Sequence, residues 1–228
     1  MFLDAGGVLV LPHRDLVACA LSRVGVRIDP AGVAPAHYRA VRELDAGGRS
    51  GYLAALVRTL GVPPVRRDDA LAALERLADR TRSGEILWSE PVAHALCTIA
   101  VARRAGIAVV VVTNSDGHAA ENLRDAGICQ TAPGAGETVD AIVDSTRVGS
   151  DKPDPEIFRV ARAAVGVAPD AVVHVGDTLS TDIAGAHAAG IAPIHLDPVR
   201  ACRARDHRHV TSLRGIWRHL APARVASL

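Results

Sequence analysis

The chain has 228 residues, 49% of them hydrophobic but only six aromatic, and a formal net charge of +1 at pH 7. This length fits one large domain, or one domain with a smaller insertion, and is enough to bury a sizeable core. A net charge near zero gives no field that would draw the chain to nucleic acid or to a membrane surface, so we expect neither as a partner.

The four cysteines, Cys19, Cys97, Cys129 and Cys202, are widely scattered. No pair has the C-x-x-C spacing, so the sequence does not favour a zinc site, and we expect small buried side chains in a reducing compartment. The chain begins without a basic, apolar leader, and its longest apolar run, Ile107 to Val112, is only strand-sized. We therefore expect a soluble cytoplasmic protein.

The first predicted element is a short strand, Met1 to Leu3, which ends at Asp4. From residue 13 to about 86 the pattern is helical and contains no convincing strand. Four helices are predicted in this stretch, at roughly 14–25, 31–46, 50–60 and 68–82.

Strands and helices alternate from Trp88 onward. One helix is expected to open at Pro91 and to end before Gly106, and another is expected between its N-cap Asp154 and Gly166. The predicted strands are Ile107–Val112, Ala141–Val143, Val172–Val175 and Ile191–Leu196. The alternation predicts an α/β fold with a doubly wound parallel sheet, a Rossmann-like core formed by 1–12 and 88–228, and an inserted all-helical segment at 13–87.

Five polar side chains fall where predicted strands end or loops begin: Asp4, Thr113, Lys152, Asp177 and Asp182. Ligands of open parallel sheets bind outside the carboxyl ends of the strands, so we expect these residues to face one crevice. Each is a weak signal alone, since an Asp after a strand is more often a turn residue or a helix cap. Together, on an alternating pattern, they form a strong signal.

These residue types indicate chemistry on phosphate. Asp4 and Asp177 offer hard oxygen ligands suited to Mg²⁺. The Thr113 hydroxyl and an amide N–H of Asn114 can donate to a phosphoryl oxygen, and Lys152 offsets the negative charges gathered there. Lys152 is the one lysine in a chain with 25 arginines, which indicates a place where a compact ammonium fits and a guanidinium fork does not. A surface lysine retained by chance is the alternative.

Four segments resemble the haloacid dehalogenase superfamily of phosphatases and related hydrolases. They are Phe2–Leu9, Val110–Asn114, Asp151–Pro155 and Val175–Ala186, and the last is the most specific. The resemblance extends over 1–12 and 88–200. The helical segment between them is similar to the cap that this superfamily inserts after its first motif, which covers the crevice and selects the substrate.

The resemblance implies a role for each polar residue. Asp4 would be the nucleophile and a Mg²⁺ ligand, and Asp182 would orient a metal-bound water or Lys152. The site predicted in this way has Asp4, Thr113 and Lys152 as catalytic residues, Thr113, Asn114 and Lys152 around the phosphate, and Asp4, Gly6 (through its carbonyl), Asp177 and Asp182 at the metal.

One position departs from the family pattern. Phosphatases of the family usually carry a second Asp two residues after the nucleophile, which protonates the leaving group and then activates water; here that residue is Gly6. A positioned general acid–base contributes roughly 10²–10⁴-fold, so we expect any activity to favour good leaving groups. A water or His13 could replace the missing acid, although an ordinary loop histidine is the favoured interpretation of His13. The Gly-Gly-Val-Leu variant also resembles a subset of the superfamily that includes some sugar-phosphate phosphatases.

The leading hypothesis is a Mg²⁺-dependent phosphomonoesterase that acts on a small cytosolic phosphorylated metabolite through an aspartyl-phosphate intermediate. The alternative is a family member without catalysis that acts as a binding or regulatory protein, as Gly6 and the short first strand suggest. Carbon–halogen hydrolysis is less favoured, because it needs no metal whereas Asp177 and Asp182 are both present. Phosphonate cleavage would need a lysine in the inserted segment, which contains none.

Two further groups of residues have more than one interpretation. A basic patch near the C-terminus is more typical of a solvated face than of a site for an anionic partner; it comprises Arg200, Arg203, Arg205, His207, Arg208 and His209. In the inserted segment a solvated helix face is again favoured over substrate contact for His37, Tyr38, Arg39, Arg42 and Arg49.

Overall fold

The computed structural model describes residues 1–79 and 86–220, so the last three residues of the helix predicted at 68–82 lie outside it. The chain divides into two compact units. The larger unit contains Met1–Val10 and the chain from Pro91 onward, and the smaller contains Leu11–Glu90. The predicted boundaries were 12/13 and 87/88. That the smaller unit acts as a cap stays a prediction.

The strands of the described residues are short, between two and five residues. In chain order they are β1 Phe2–Leu3, β2 Val10–Pro12, β3 Trp88–Pro91, β4 Val110–Thr113, β5 Cys129–Gln130, β6 Glu137–Thr138, β7 Ala141–Asp144, β8 Val173–Gly176, β9 Ala192–Leu196 and β10 Arg208–Val210.

The α-helices of the described residues separate most of these strands. In chain order they are α1 Arg14–Ser22, α2 Val33–Asp45, α3 Tyr52–Thr59, α4 Arg67–Asp79, α5 Ala95–Arg104, α6 Ala119–Asp125, α7 Ser145–Val148, α8 Pro155–Val165 and α9 Ala184–Ala188. Short 3₁₀ turns precede α2 and α4, at Pro30–Gly32 and Pro64–Arg66.

The central feature of the larger unit is a six-stranded sheet in the order β10-β9-β8-β1-β4-β7, with parallel pairing throughout. This confirms the predicted α/β fold. The valine run of β4 is buried at every position, as expected of a strand covered on both faces. β1 lies between β4 and β8, and the later strands of the chain are added on both sides of it. The carboxyl ends of these three strands are therefore the expected place for a ligand.

Helix α8 shows why the sequence folds as predicted in this region. The Asp154 side chain accepts the N–H of Glu156 at 2.9 Å, Pro155 takes the first turn, and Gly166 ends the helix with a φ of 65°. Ile157, Phe158 and other buried residues of α8 pack with Phe2 of β1 in one apolar cluster. The strand that ends at Asp4 is thereby fixed against a helix.

Two sequence predictions about this unit were wrong. Pro91 ends strand β3 and does not open a helix; α5 begins at Ala95. Strand β4 begins at Val110 rather than Ile107, although Val109 is as buried as the strand residues. An apolar run predicts burial more reliably than it predicts where the hydrogen-bonded ladder begins.

The smaller unit has its own apolar core, to which its four helices contribute Val17, Ala40, Leu56 and Leu74, among others. His37 lies inside this unit, with its Nδ1 2.8 Å from the Tyr52 hydroxyl. Arg39 on the same helix is exposed. None of the described helices has the length and apolar character needed to cross a bilayer.

Candidate active site

Two carboxylates lie at the ends of neighbouring strands in the larger unit. Asp4 directly follows β1, and its main-chain N–H donates to the carbonyl of Val175 in β8 at 2.9 Å. Asp177 directly follows β8. Both side chains are buried, as is that of Asp182. The sheet thus brings together the carboxylates that the sequence analysis placed in one crevice.

Lys152 lies in the same cluster, with its side chain only 2% exposed. Its Nζ donates to Asp4 Oδ1 at 2.6 Å, to Asp182 Oδ1 at 2.6 Å and to the Val112 carbonyl at 2.9 Å. An ammonium has three protons, and each finds an acceptor. All three acceptors converge on one nitrogen atom, whereas a guanidinium spreads its donors over three nitrogens in a fixed plane, which accounts for a lysine in an arginine-rich chain.

Burial and charge act in opposite directions on these groups. Burial, reinforced by Asp182 and Asp177 and opposed by Lys152, raises the pKa of Asp4 to about 7. Burial also opposes the charge on Lys152, but Asp182 and Asp4 outweigh it and raise the pKa of the ammonium. For Asp182, Lys152 and His174 overcome the effect of burial and lower the pKa below the usual range. A further cation beside Asp4 would favour its ionised form.

Asp182 is held by donors on both of its oxygens. Besides Lys152, Oδ1 lies 2.9 Å from Nε2 of His174, and Oδ2 accepts the main-chain N–H of Thr178 at 3.2 Å. It stands in a π-helical turn, Leu179–Ile183, a conformation that recurs at functional sites. These contacts agree with an orienting role for Asp182 toward Lys152.

Gly176 ends β8 where Asp182 crosses it closely. A Cβ at this position would lie 2.2 Å from both Cβ and Cγ of Asp182, which is a severe steric clash. The absence of a side chain at Gly176 therefore lets Asp182 reach Lys152. The glycine is required for space, not for its backbone angles.

We expect Gly176→Ala to lower kcat/KM of the hydrolytic reaction by about 10–100-fold, because displacement of Asp182 disturbs Lys152. The same clash is expected to cost about 1–3 kcal/mol of folding free energy. The matched control is Gly32→Ala, where a Cβ would meet no described residue within 4 Å. Equal kinetics and equal urea midpoints for the two variants would contradict the proposed contact.

The loop after β4 is tied to the loop that carries Lys152. The Asn114 side chain accepts the Lys152 N–H at 2.7 Å and donates to the Lys152 carbonyl at 2.9 Å. Its side-chain amide is thus committed to the protein, and only the main-chain N–H of Asn114 is a candidate for phosphate. Thr113, the last residue of β4, is buried beside it. The phosphate-binding roles of Thr113, Asn114 and Lys152 stay predictions.

Asp144 fixes the course of the loop that follows Thr113. Its carboxylate accepts main-chain N–H groups from Gly117, Thr146 and Ala119 at 3.0–3.1 Å. Asp144 is also paired with Thr113 across β4 and β7. A buried carboxylate with three main-chain donors is a positioning element, and neither composition nor spacing predicted it.

The acidic cluster fits a small divalent cation. Asp4, Asp177 and Asp182 each offer a carboxylate oxygen, and these atoms lie within 4.8 Å of one another. Hard oxygen donors in this number suit Mg²⁺, which keeps some water in its shell. Gly6 follows β1 and forms a β-bridge with Val10, so the chain turns back beside Asp4. The carbonyl of Gly6 as a ligand stays a prediction.

Two residues beside the site were missed by sequence reasoning. His174 is fully buried in β8, where burial lowers its pKa, and Asp182 is its acceptor. The Thr178 hydroxyl donates to Asp177 Oδ1 at 3.2 Å. A histidine inside a valine-rich strand was the available signal for His174. Thr178 lies in Val175–Ala186, one of the segments that resemble the family, but no role was predicted for it.

Known proteins resemble this chain in sequence and in fold. The model of the haloacid dehalogenase-like hydrolases matches residues 1–190. A phosphoserine phosphatase of Thermus thermophilus is 35% identical over 117 residues, which is 51% of this chain and 43% of that protein. A glyceraldehyde 3-phosphate phosphatase of Methanopyrus kandleri is 42% identical over 55 residues, or 24% of each chain. The alignments thus span less than half of either relative.

Among solved structures, the magnesium-bound HAD-hydrolase YfnB of Bacillus subtilis superposes with a TM-score of 0.62. The two proteins are 18% identical, and the match covers 96% of both chains. Identity this low shows a shared fold and nothing further.

Proposed function

Since this chain belongs to the haloacid dehalogenase-like hydrolases, we propose that it is a Mg²⁺-dependent phosphomonoesterase acting on a small phosphorylated metabolite. The observation that carries the proposal is Lys152, whose buried ammonium joins Asp4 to Asp182 beside Asp177. The phosphatases among its relatives support the reaction class. They do not identify the substrate.

In the proposed reaction a carboxylate oxygen of Asp4 attacks phosphorus, and the bond from phosphorus to the leaving oxygen breaks. The leaving oxygen takes up a proton and departs as an alcohol, phenol or carboxylic acid. A water then attacks the phosphorus of the aspartyl phosphate, which releases inorganic phosphate and restores Asp4. The sum is one phosphomonoester and one water converted into one hydroxyl product and one phosphate.

Each residue of the site has a share in this chemistry. Asp4 must be ionised to attack, and Lys152 supplies a positive charge in direct contact with it. Asp182 and the Val112 carbonyl hold the ammonium in place. Charge fixed in advance at the reacting oxygens is the main source of catalysis in phosphoryl transfer. When bound, Mg²⁺ would neutralise further negative charge among Asp4, Asp177 and Asp182.

Gly6 has no side chain to protonate the leaving oxygen, so the rate of hydrolysis should depend strongly on how basic that oxygen is. We expect kcat/KM for an aryl phosphate or an acyl phosphate to exceed that for a simple alkyl phosphate by about 10²-fold or more. Equal values for the aryl and alkyl phosphates would show that another group donates the proton. In that case His13→Gln, which removes the candidate, should lower kcat more than it raises KM.

The proposal is tested by phosphate release from an aryl phosphate, an acyl phosphate and several sugar 1- and 6-phosphates. Each compound is measured with Mg²⁺, with a chelator, and with the Asp4→Asn variant. Release that requires both Mg²⁺ and Asp4 supports the phosphomonoesterase. Release that is equal in the variant contradicts it.

A family member without catalysis is the second candidate, because Gly6 lacks the usual acid–base side chain. It predicts that a phosphorylated ligand binds to the wild-type chain without turnover of any compound in the panel. Equilibrium binding of inorganic phosphate in the presence of Mg²⁺, measured beside the release assay, separates these two candidates.

A further inference from the structure

Three histidines and a cysteine meet at the edge of the large sheet. His195 in β9 and His209 in β10 are direct partners in the parallel register, so their side chains emerge side by side. His207 lies between strand and loop with its side chain 2% exposed, and its ring stacks on that of His209 with centroids 4.5 Å apart. Cys202 is buried and carries a free thiol. One ligand atom from each of the four lies within 4.8 Å of all the others.

Each of the three histidines uses one ring nitrogen as a hydrogen-bond donor. His195 donates from Nε2 to the Asp177 carbonyl at 3.1 Å, and His209 donates from Nε2 to the Ala204 carbonyl at 3.1 Å. His207 donates from Nδ1 to Asp206 Oδ1 at 2.8 Å. Each oxygen can only accept, so each bond fixes the tautomer and leaves a lone pair on the opposite nitrogen.

The buried ring of His195 gives independent support for a bound ion. Its Nδ1 has no hydrogen-bond partner among the residues that the structure describes, although the residue is only 4% exposed. A buried nitrogen lone pair without a donor is costly unless something binds it. Across the group, His207 Nε2 lies 3.7 Å from Cys202 Sγ. Zn–N and Zn–S bonds at a tetrahedral ion would place such a pair about 3.6 Å apart.

We propose that His195, Cys202, His207 and His209 form a structural Zn²⁺ site, separate from the acidic cluster that holds Mg²⁺. Four ligands of mixed imidazole and thiolate type, two buried and two half-buried, match a closed tetrahedral zinc site. Asp206 and the two carbonyls act as the outer partners that orient the imidazoles. The acidic cluster, with oxygen donors alone, suits the harder cation.

The zinc site would stabilise the edge of the sheet, and it would also help to position a residue of the acidic cluster. The ion would join β9, β10 and the loop of Cys202, which is closed further by the Cys202 N–H on Asp197 at 2.8 Å. His195 contacts the carbonyl of Asp177, a residue of the acidic cluster. Loss of the ion should therefore loosen β10 first and affect hydrolysis only through the position of Asp177.

Cysteine spacing alone gives no sign of this site. The ligands are one cysteine and two histidines in the pattern C-x₄-H-x-H, with a fourth ligand seven residues upstream. His207 and His209 were predicted to belong to a solvated basic patch. The side chain of His207 is instead only 2% exposed, whereas the arginines around it are exposed.

The test is metal binding by the full chain, stripped with a chelator and then given Zn²⁺ or Co²⁺ in excess Mg²⁺ to saturate the acidic cluster. We expect one equivalent of Zn²⁺ to survive desalting, and Co²⁺ to give the thiolate-to-cobalt charge-transfer band of a cysteine ligand. Cys202→Ser should remove that band and weaken Zn²⁺ binding by at least about 100-fold. His209→Gln should weaken binding while it keeps the band.

Two matched controls keep the result specific. Cys97→Ser alters an exposed cysteine of the same unit, and His187→Gln removes an exposed histidine 3.9 Å from Asp206 that could form a rival site with His207. Both should bind Zn²⁺ as the wild type does. The proposal is overturned if the wild type retains no Zn²⁺, if its Co²⁺ spectrum lacks the thiolate band, or if either control loses binding. Zn²⁺ retention and the Co²⁺ spectrum of the wild-type chain test the proposal even if Cys202→Ser fails to fold.

Discussion

Replacement of Asp4 by Asn is expected to reduce Mg²⁺-dependent phosphate release by at least about 1,000-fold, because an amide cannot form the aspartyl phosphate. The variant should remain folded, since Lys152 keeps Asp182 and the Val112 carbonyl as acceptors. Asn also removes a negative charge that burial already disfavours at this position. The loss should therefore appear in kcat and not in the urea midpoint.

The matched control is Asp170→Asn, which makes the same chemical change at an exposed position of the same unit. It should release phosphate at the wild-type rate. If Asp4→Asn retains activity comparable to this control, Asp4 is not the nucleophile. Circular dichroism measured beside the kinetics should show the wild-type fold for both variants.

Lys152→Met is expected to lower both activity and stability. Loss of the ammonium leaves Asp4 and Asp182 buried against each other without their shared cation. Removal of one partner of a buried ion pair typically costs about 3–5 kcal/mol of unfolding free energy. We expect a loss of this size by urea denaturation without Mg²⁺, and kcat lower by at least about 100-fold. Lys152→Arg should fail as well, because the fork cannot reach three acceptors.

A double variant separates this charge effect from lost packing. Lys152→Met combined with Asp182→Asn removes the cation and one anion together, so its stability should exceed that expected from the sum of the single variants. Arg159→Met, which breaks an exposed ion pair with Glu156, is the control and should change stability little. Additive effects in the Lys152 cycle would contradict the buried ion pair.

The sequence predicted the elements whose signals are local. A strand is indicated by the valine run of β4 alone, and the ends of α8 are indicated by its capping residues Asp154 and Gly166. The order of these elements then determined a parallel sheet and the placement of Asp4 and Asp177 at its carboxyl edge. Since parallel strands place successive carboxyl ends together, the site could be predicted without coordinates.

The features that escaped prediction depend on packing between elements and not on a local sequence pattern. His174 lies in a strand and acts on Asp182, and Gly176 gives space to a side chain six residues later. Strand β10 has three residues and no alternation, so its pairing with β9 has no sequence signal. Pro91 has the composition of a helix start but is used in β3. In each case packing overrides local preference.

The most direct test of the central claim is to find the phosphoryl group on the enzyme. A ³²P-labelled acyl phosphate is mixed with the chain and Mg²⁺, the reaction is stopped in acid within one turnover, and the labelled peptide is mapped. We predict label on the peptide that contains Asp4, removable by hydroxylamine and absent from Asp4→Asn. Label on any other residue, or wild-type release of phosphate by Asp4→Asn, would contradict the account.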